Sequence, residues 1–127
     1  MAEQVMETPL QRMELLIGED NLKRIKNSAV MVVGIGGVGS YVCEALARSG
    51  VGKLILVDGD TVALSNLNRQ IHANYKTLGK SKTKVMKERI ETYRTDCEVI
   101  CHDVFYKEEE NITLFSEQID FVVDAID

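Results

Sequence analysis

Gly34-Ile35-Gly36-Gly37-Val38-Gly39 is the stretch of this chain best suited to chemistry. It follows five apolar residues, Ala29 to Val33, and leads into a helical pattern, so it fits G-x-G-x-x-G in a strand-to-helix setting. Glycines let the backbone come close to a phosphate, and the free N–H groups and dipole of a helix start attract its charge. A glycine turn used only for packing has the same spacing. Asp58 lies nineteen residues beyond Gly39, at the end of a second apolar run. A carboxylate there hydrogen-bonds ribose hydroxyls, which suits the adenosine of NAD and of ATP equally. Asp60, two residues on, reads as an exposed neighbour of the same nucleotide site.

Asp124 and Asp127 close the last apolar run, and one of them is expected to face the glycine loop. A bare carboxylate repels phosphates unless Mg²⁺ bridges the two. That arrangement serves an enzyme that cleaves a nucleotide phosphate better than a nicotinamide enzyme. Asn66, Arg69, Lys80, Lys82 and Lys84 are spaced so that several can reach one site. Arginine offers a rigid donor fork and lysine a point charge, and both suit a triphosphate. Taken singly, each is an ordinary surface charge.

The elements that position these residues follow from the apolar pattern. Thr8-Pro9-Leu10-Gln11 carries a capping residue, a proline at the first helical position and Gln at the capping-box position, so a helix is expected there, ending at Gly18. A second short helix holds Leu22 and Ile25 and stops near Asn27. Ala29 to Val33 and Lys53 to Val57 are continuous apolar runs, as strands buried on both faces show. Between them, Val38, Val42, Ala45 and Leu46 recur at helical spacing up to Ser49, with Gly50 as the left-handed stop. Gly59 to Gly79 is polar and irregular, long enough to be a functional loop. Ser81 can cap a helix carrying Val85, Met86 and Ile90. A third strand at Glu98 to Asp103, an acidic turn at Glu108 to Asn111, a short helix near Ile112 to Phe115 and a fourth strand at Phe121 to Ala125 complete the order. Strands alternating with helices imply a doubly wound, Rossmann-like, mainly parallel α/β sheet behind N-terminal helices. Residues 1–28 form the helical segment and 29–127 the nucleotide-binding domain. The last strand lacks its following helix, so the domain is expected to be incomplete at the C-terminus.

Composition narrows the classes. The chain has 127 residues, which is one domain at most, with the apolar and charged fractions of a soluble protein. No apolar run approaches the roughly 20 residues of a membrane span, and Met1 to Leu10 lacks the order of a signal peptide, so the expectation is a cytoplasmic protein with no membrane partner. The net charge of −5 argues against indiscriminate binding of polyanions. The lysines from Lys76 to Lys87 read as a solvated face, with a tRNA-facing patch as the alternative. Three cysteines without regular spacing fit reduced thiols, Cys43 in the core. Cys97, Val99 and Cys101 share one strand face while His102 points away, which argues against a metal site. His72 reads as a local hydrogen-bond partner within the loop rather than a catalytic group.

With these residues assembled, the chain resembles the ThiF/HesA/MoeB superfamily of adenylate-forming enzymes, whose eukaryotic members activate ubiquitin-like proteins. The resemblance runs from about Arg12 to Asp127 and rests on GIGGVGS from Gly34, LARSGVGKLILVDGDTV from Leu46, SNLNRQ from Ser65 and DAID from Asp124. Within it, Asn68 to Ala73 and the DAID ending are similar to the tRNA threonylcarbamoyladenosine dehydratases. The resemblance implies ATP and Mg²⁺ as cofactors and adenylation of a carboxylate, with Asp58 on the ribose, Asn66, Arg69 and Lys82 on the phosphates and Asp127 on Mg²⁺. It further implies that Arg12 reaches the nucleotide of a neighbouring subunit, hence a homodimer. The substrate would be the carboxylate of threonylcarbamoyladenosine in tRNA. The sulfur-carrier branch of the superfamily, which activates a C-terminal glycine and has sulfur-carrier or cysteine desulfurase-type partners, shares the first step. A nicotinamide-dependent oxidoreductase and a noncatalytic nucleotide-binding module remain as readings of another class. Active chains of the superfamily are about twice this length, so the segment alone is expected to bind ATP weakly or not at all, its last strand being an open edge.

Overall fold

The computed structural model describes residues 7–116 and 118–127; residues 1–6, which open the expected helical segment, lie outside them. Four strands form one parallel sheet in the order β3-β2-β1-β4. They are β1 (Ala29–Val33), β2 (Lys53–Val57), β3 (Glu98–His102) and β4 (Phe121–Asp124). All five residues of β1 are buried, as a continuous aliphatic run between two neighbours requires. Val33 pairs with Val57 on one side and Asp124 on the other, while Val57 pairs with His102, so the carboxyl ends of the four strands lie along one rim. The strand order reverses between β1 and β4, and the crevice outside such a pair is where doubly wound sheets bind ligands.

One sheet face is covered by α3 (Gly37–Ser49) and α4 (Lys82–Glu91). Val30, Val32, Leu54, Leu56 and Val99 pack there against Cys43, Ala47, Met86 and Ile90. On the other face Met31, Val33, Ile55 and Val57 meet Tyr106, Leu114 and Ile119, from the segment holding α5 (Glu108–Asn111) and a 3₁₀ turn (Ile112–Ser116). Two short helices, α1 (Gln11–Ile17) and α2 (Glu19–Lys26), precede the sheet, with Gly18 between them at φ 86°. Leu10 and Leu22 close over Gly50, which ends α3 in the left-handed conformation.

Three local expectations are corrected. Thr8, Pro9 and Leu10 form a turn and α1 starts at Gln11 without a side-chain cap, because Leu10 is drawn into the core against Gly50. On α3, Val38 and Ala45 are exposed, and the buried face is Gly39, Ser40, Cys43 and Ala47. Ser81 stands at the N-cap of α4 but makes no cap, since its hydroxyl donates to Asp103 at 2.7 Å.

Glu44 joins the two covering helices. Its carboxylate accepts from Arg89 Nε at 3.0 Å and Nη2 at 2.7 Å and from the Tyr93 hydroxyl at 2.6 Å. The Arg48 guanidinium lies 4.0 Å above the Tyr93 ring. Burial alone would raise the Glu44 pKa, but the hydrogen bonds from Arg89 and Tyr93 outweigh it and hold the carboxyl below its ordinary value. A carboxylate so depressed adds stability above its unfolded pKa of about 4.3 and loses it as pH falls through the lower folded value. Glu44→Gln is therefore expected to lower the unfolding free energy at pH 7 by about 2 kcal/mol, the scale of charge-assisted hydrogen bonds. Urea unfolding at pH 7 and pH 4 checks it: the difference between wild type and variant should narrow at the lower pH.

Candidate functional site

At the end of β1 the chain turns at Gly34, whose φ is 93° and whose N–H donates to the Val57 carbonyl at 2.8 Å. A Cβ on Gly34 would sit 2.6 Å from the Ala125 carbonyl oxygen, and one on Gly39 would sit 1.6 Å from that of Gly34. Packing therefore demands glycine at both positions. Gly36 and Gly37 differ. A Cβ there would meet nothing nearer than Gln70 Nε2 at 3.5 Å and Arg69 Cγ at 3.8 Å, ordinary contact distances. The fold has room for a methyl group at either, so their glycines leave open a cradle that side chains would fill. No side chain caps the first turn of α3, whose N–H groups and dipole are the natural anion site.

Asp58, one residue beyond β2, is tied to this loop. Its Oδ2 accepts from Ile35 N–H at 2.7 Å and its Oδ1 from Asp60 N–H at 2.8 Å. Each carboxylate oxygen keeps a second lone pair for a ligand. Arg69 lies along Gly37, its guanidinium held by the Ser65 carbonyl at 2.9 Å and Asn68 Oδ1 at 3.0 Å. Asn66 is buried and accepts from Ala63 N–H at 2.8 Å. Lys82 is 5% exposed at the start of α4, and its Nζ lies 3.5 Å from Oδ2 of the exposed Asp60. A buried ammonium beside one loosely placed carboxylate is able to transfer to a stronger anion.

Other expected site residues lie elsewhere. Lys84 turns to Asp103 at 3.3 Å. Arg12 is exposed on α1 beside Arg48 in the last turn of α3, roughly 16 Å along that helix from the glycines. Asp124 accepts from Ile126 N–H at 3.2 Å, and Asp127 is exposed two residues past Ala125, the residue that abuts Gly34. Among the described residues no group of three or more His, Cys, Asp or Glu is arranged for a metal ion. Cys43 is fully buried and burial pushes its thiol pKa up, so it is a core residue.

Three further groups lie at the loop whose contacts there the sequence did not reveal. Gln70 is buried with its amide against Gly36, and its Oε1 has no hydrogen-bond partner among the described residues. His72, expected to hydrogen-bond within its own loop, instead places its side-chain Nε2 2.8 Å from the carbonyl of Ile35, 37 residues earlier in the chain. Phe105, past β3, lies on Gly59, where a Cβ would be 2.6 Å from its ring.

Residues 10–127 match the ThiF family. The chain is 50% identical over 116 residues to the tRNA threonylcarbamoyladenosine dehydratase of Bacillus subtilis, covering 91% of this chain and 46% of that protein. It is 43% identical over 112 residues to the enzyme of the same name from Escherichia coli, covering 88% and 42%. Among solved structures, the E. coli dehydratase TcdA in complex with ATP superposes with a TM-score of 0.90 at 41% identity, over 94% of this chain and 49% of that one. The chain spans about half the length of the curated relatives it matches.

The contrast between the glycines is directly testable. Gly37→Ala should fold with unchanged or slightly increased stability, by up to about 1 kcal/mol, because alanine is the better helix former. In the complete protein it should lose about tenfold in nucleotide affinity, the scale of 1.4 kcal/mol. Gly39→Ala should fail to fold. Fluorescent-nucleotide titration and thermal unfolding read the pair, and wild-type affinity in Gly37→Ala would reduce the loop to a packing turn.

Proposed function

Because the chain belongs to the ThiF family, which it matches over residues 10–127, we propose that it is the nucleotide-binding part of an enzyme that adenylates a carboxylate with ATP. The observation that carries this is the open cradle at Gly36 and Gly37, walled by glycines that packing does require and flanked by Arg69 and the buried Lys82. The carboxylate is that of threonylcarbamoyladenosine in tRNA. The similarity to dehydratases of that substrate, and to an E. coli structure holding ATP, supports the assignment.

In the proposed reaction a carboxylate oxygen attacks the α-phosphorus, the bond to the bridging oxygen breaks, and pyrophosphate leaves. Intramolecular attack on the activated carbonyl then closes a ring and expels AMP, with net loss of water from the substrate. This chain's residues position and neutralise rather than form covalent bonds, as phosphoryl-type transfers allow. The backbone at Gly34, Gly36, Gly37 and Gly39 lines the phosphate site. Asp58 offers its remaining lone pairs to the ribose while its others hold the loop. Asn66, Arg69 and Lys82 take phosphate oxygens, and Lys82 leaves Asp60 to do so. Asp127 would hold Mg²⁺, which would offset the charge of the phosphates beside the carboxylate and needs only one or two protein carboxylates. Arg12 is too far along α3 to serve its own loop and suits the loop of a second copy, so the active form is a homodimer.

In the complete protein, pyrophosphate exchange into ATP should depend on threonylcarbamoylated tRNA. Exchange that needs instead a small protein ending in Gly-Gly would move the activity to the sulfur-carrier branch. Asp127→Asn should cut exchange by at least about 100-fold while leaving thermal unfolding unchanged, on the scale of one lost electrostatic contact in an adenylation site. Undiminished exchange would remove Asp127 from the metal role.

A further inference from the structure

His72 is 2% exposed, and its ring Nε2 lies 2.8 Å from the carbonyl oxygen of Ile35. A carbonyl only accepts, so Nε2 carries the proton and Nδ1 is the bare nitrogen. Nδ1 is buried with no hydrogen-bond partner among the described residues. The same loop residue is held from its other side by Asp58, which accepts from the Ile35 N–H at 2.7 Å. Two successive peptide groups are thus pinned, Gly34–Ile35 through its N–H and Ile35–Gly36 through its C=O.

The consequence follows from planarity. In a trans peptide the C=O and N–H point in opposite directions, and the described residues contain no cis bond. Drawing the Ile35 carbonyl inward to His72 therefore turns the Gly36 N–H to the opposite side of the peptide, away from His72. We propose that His72 is a positioning residue: as the Nε2–H tautomer it fixes the Ile35–Gly36 peptide so that the Gly36 N–H donates to a nucleotide phosphate. This rests on the ATP-binding reading above, and it assigns no acid or base step to the imidazole.

The neutral ring suits this role. Burial depresses the His72 pKa, and of the charged groups around it Lys82 and Arg89 depress it further while Asp58 acts the other way. A second proton on Nδ1 would be a buried donor without an acceptor among the described residues, in the field of Lys82 and Arg89. A general base would instead need its free nitrogen directed at the substrate.

Two variants separate the possibilities, because the glutamine amide nitrogen can replace Nε2 as donor whereas leucine cannot. In the complete protein, His72→Leu should raise the KM for ATP about tenfold with a smaller change in kcat, and His72→Gln should stay within about threefold of wild type. If both variants instead lose turnover by about two orders of magnitude while KM is unchanged, positioning is overturned in favour of proton transfer; wild-type KM in His72→Leu would also overturn it. Nitrogen-15 spectra of the unliganded protein give a readout that does not depend on activity. The imidazole should show a protonated Nε2 and a bare Nδ1 from pH 8 to pH 6, and the Gly36 amide resonance should move in His72→Leu but little in His72→Gln. An Nδ1–H tautomer, or a Gly36 amide indifferent to both variants, would sink the proposal. If instead these spectra behave as expected and no ATP-dependent activity is found, the ATP-binding reading fails and the positioning of the loop stands.

Discussion

Gly39 rides directly on the carbonyl oxygen of Gly34, an approach that leaves no space for any side chain. Much of the site follows from that contact. It brings the first turn of α3 down onto the end of β1, so that the helix begins at the rim where the strand order reverses. It sets the rotation of α3 about its own axis, burying Gly39, Ser40, Cys43 and Ala47 and leaving Val38 in water. At the same turn Gly34 takes a positive φ, with Ala125, just past β4, closing the other side. A hydrophobic side chain is exposed so that a backbone can lie close, a trade that makes sense only if the backbone has something to hold.

The loop is one fixed body, and the basic residues are a second body that must be placed against it. Glu44 provides the placement. It sits in the middle of α3 and holds Arg89 and Tyr93, at and just beyond the end of α4, whose first residue is Lys82. Helices are stiff rods, so a bond from the middle of α3 to the last turn of α4 constrains the relative position of their N-termini. The glycine loop and the lysine that faces Asp60 are in this way referenced to each other through a bridge away from both. Asp58 and His72 do the same at short range, and Ser40 extends the arrangement by accepting from Ile71 N–H at 3.3 Å.

Legibility in the sequence divided along physical lines. β1 and β2 were readable to the residue because a strand buried on both faces is a continuous apolar run, and Gly50 was readable because a left-handed stop is a local property. The burial face of α3 was misread because periodicity weighs side chains, whereas a glycine contact decided the orientation. Ser81 was misread as a cap because its hydroxyl found Asp103, over twenty residues away, a partner that no local pattern reveals. At the site, the glycine motif and Asp58 were visible, but the motif treats its glycines as equivalent. Only neighbouring atoms show that Gly34 and Gly39 are required by packing while Gly36 and Gly37 are not. His72 and Gln70 stood in the motifs that carry the family resemblance, but their contacts were not legible because they face the backbone of a loop more than thirty residues earlier in the chain.

The two walls of the crevice are joined to β1 over very different lengths of chain. Ala29 pairs with Lys53, whereas Val30 pairs with Phe121, and Asp120 anchors back to the Ala29 N–H at 2.8 Å. Closing the longer loop costs only about 1 kcal/mol more in chain entropy, since the penalty grows logarithmically with length. In time the difference is larger, because contacts distant in sequence form late. During folding, the parallel β1–β2 pair with its crossover helix can assemble first, and with it the hydrogen bond from Ile35 to Asp58. The Ala125 wall arrives only when β4 docks. A nascent chain would thus carry some of its loop restraints before it has a complete crevice, which places the closing of the crevice late in the folding order.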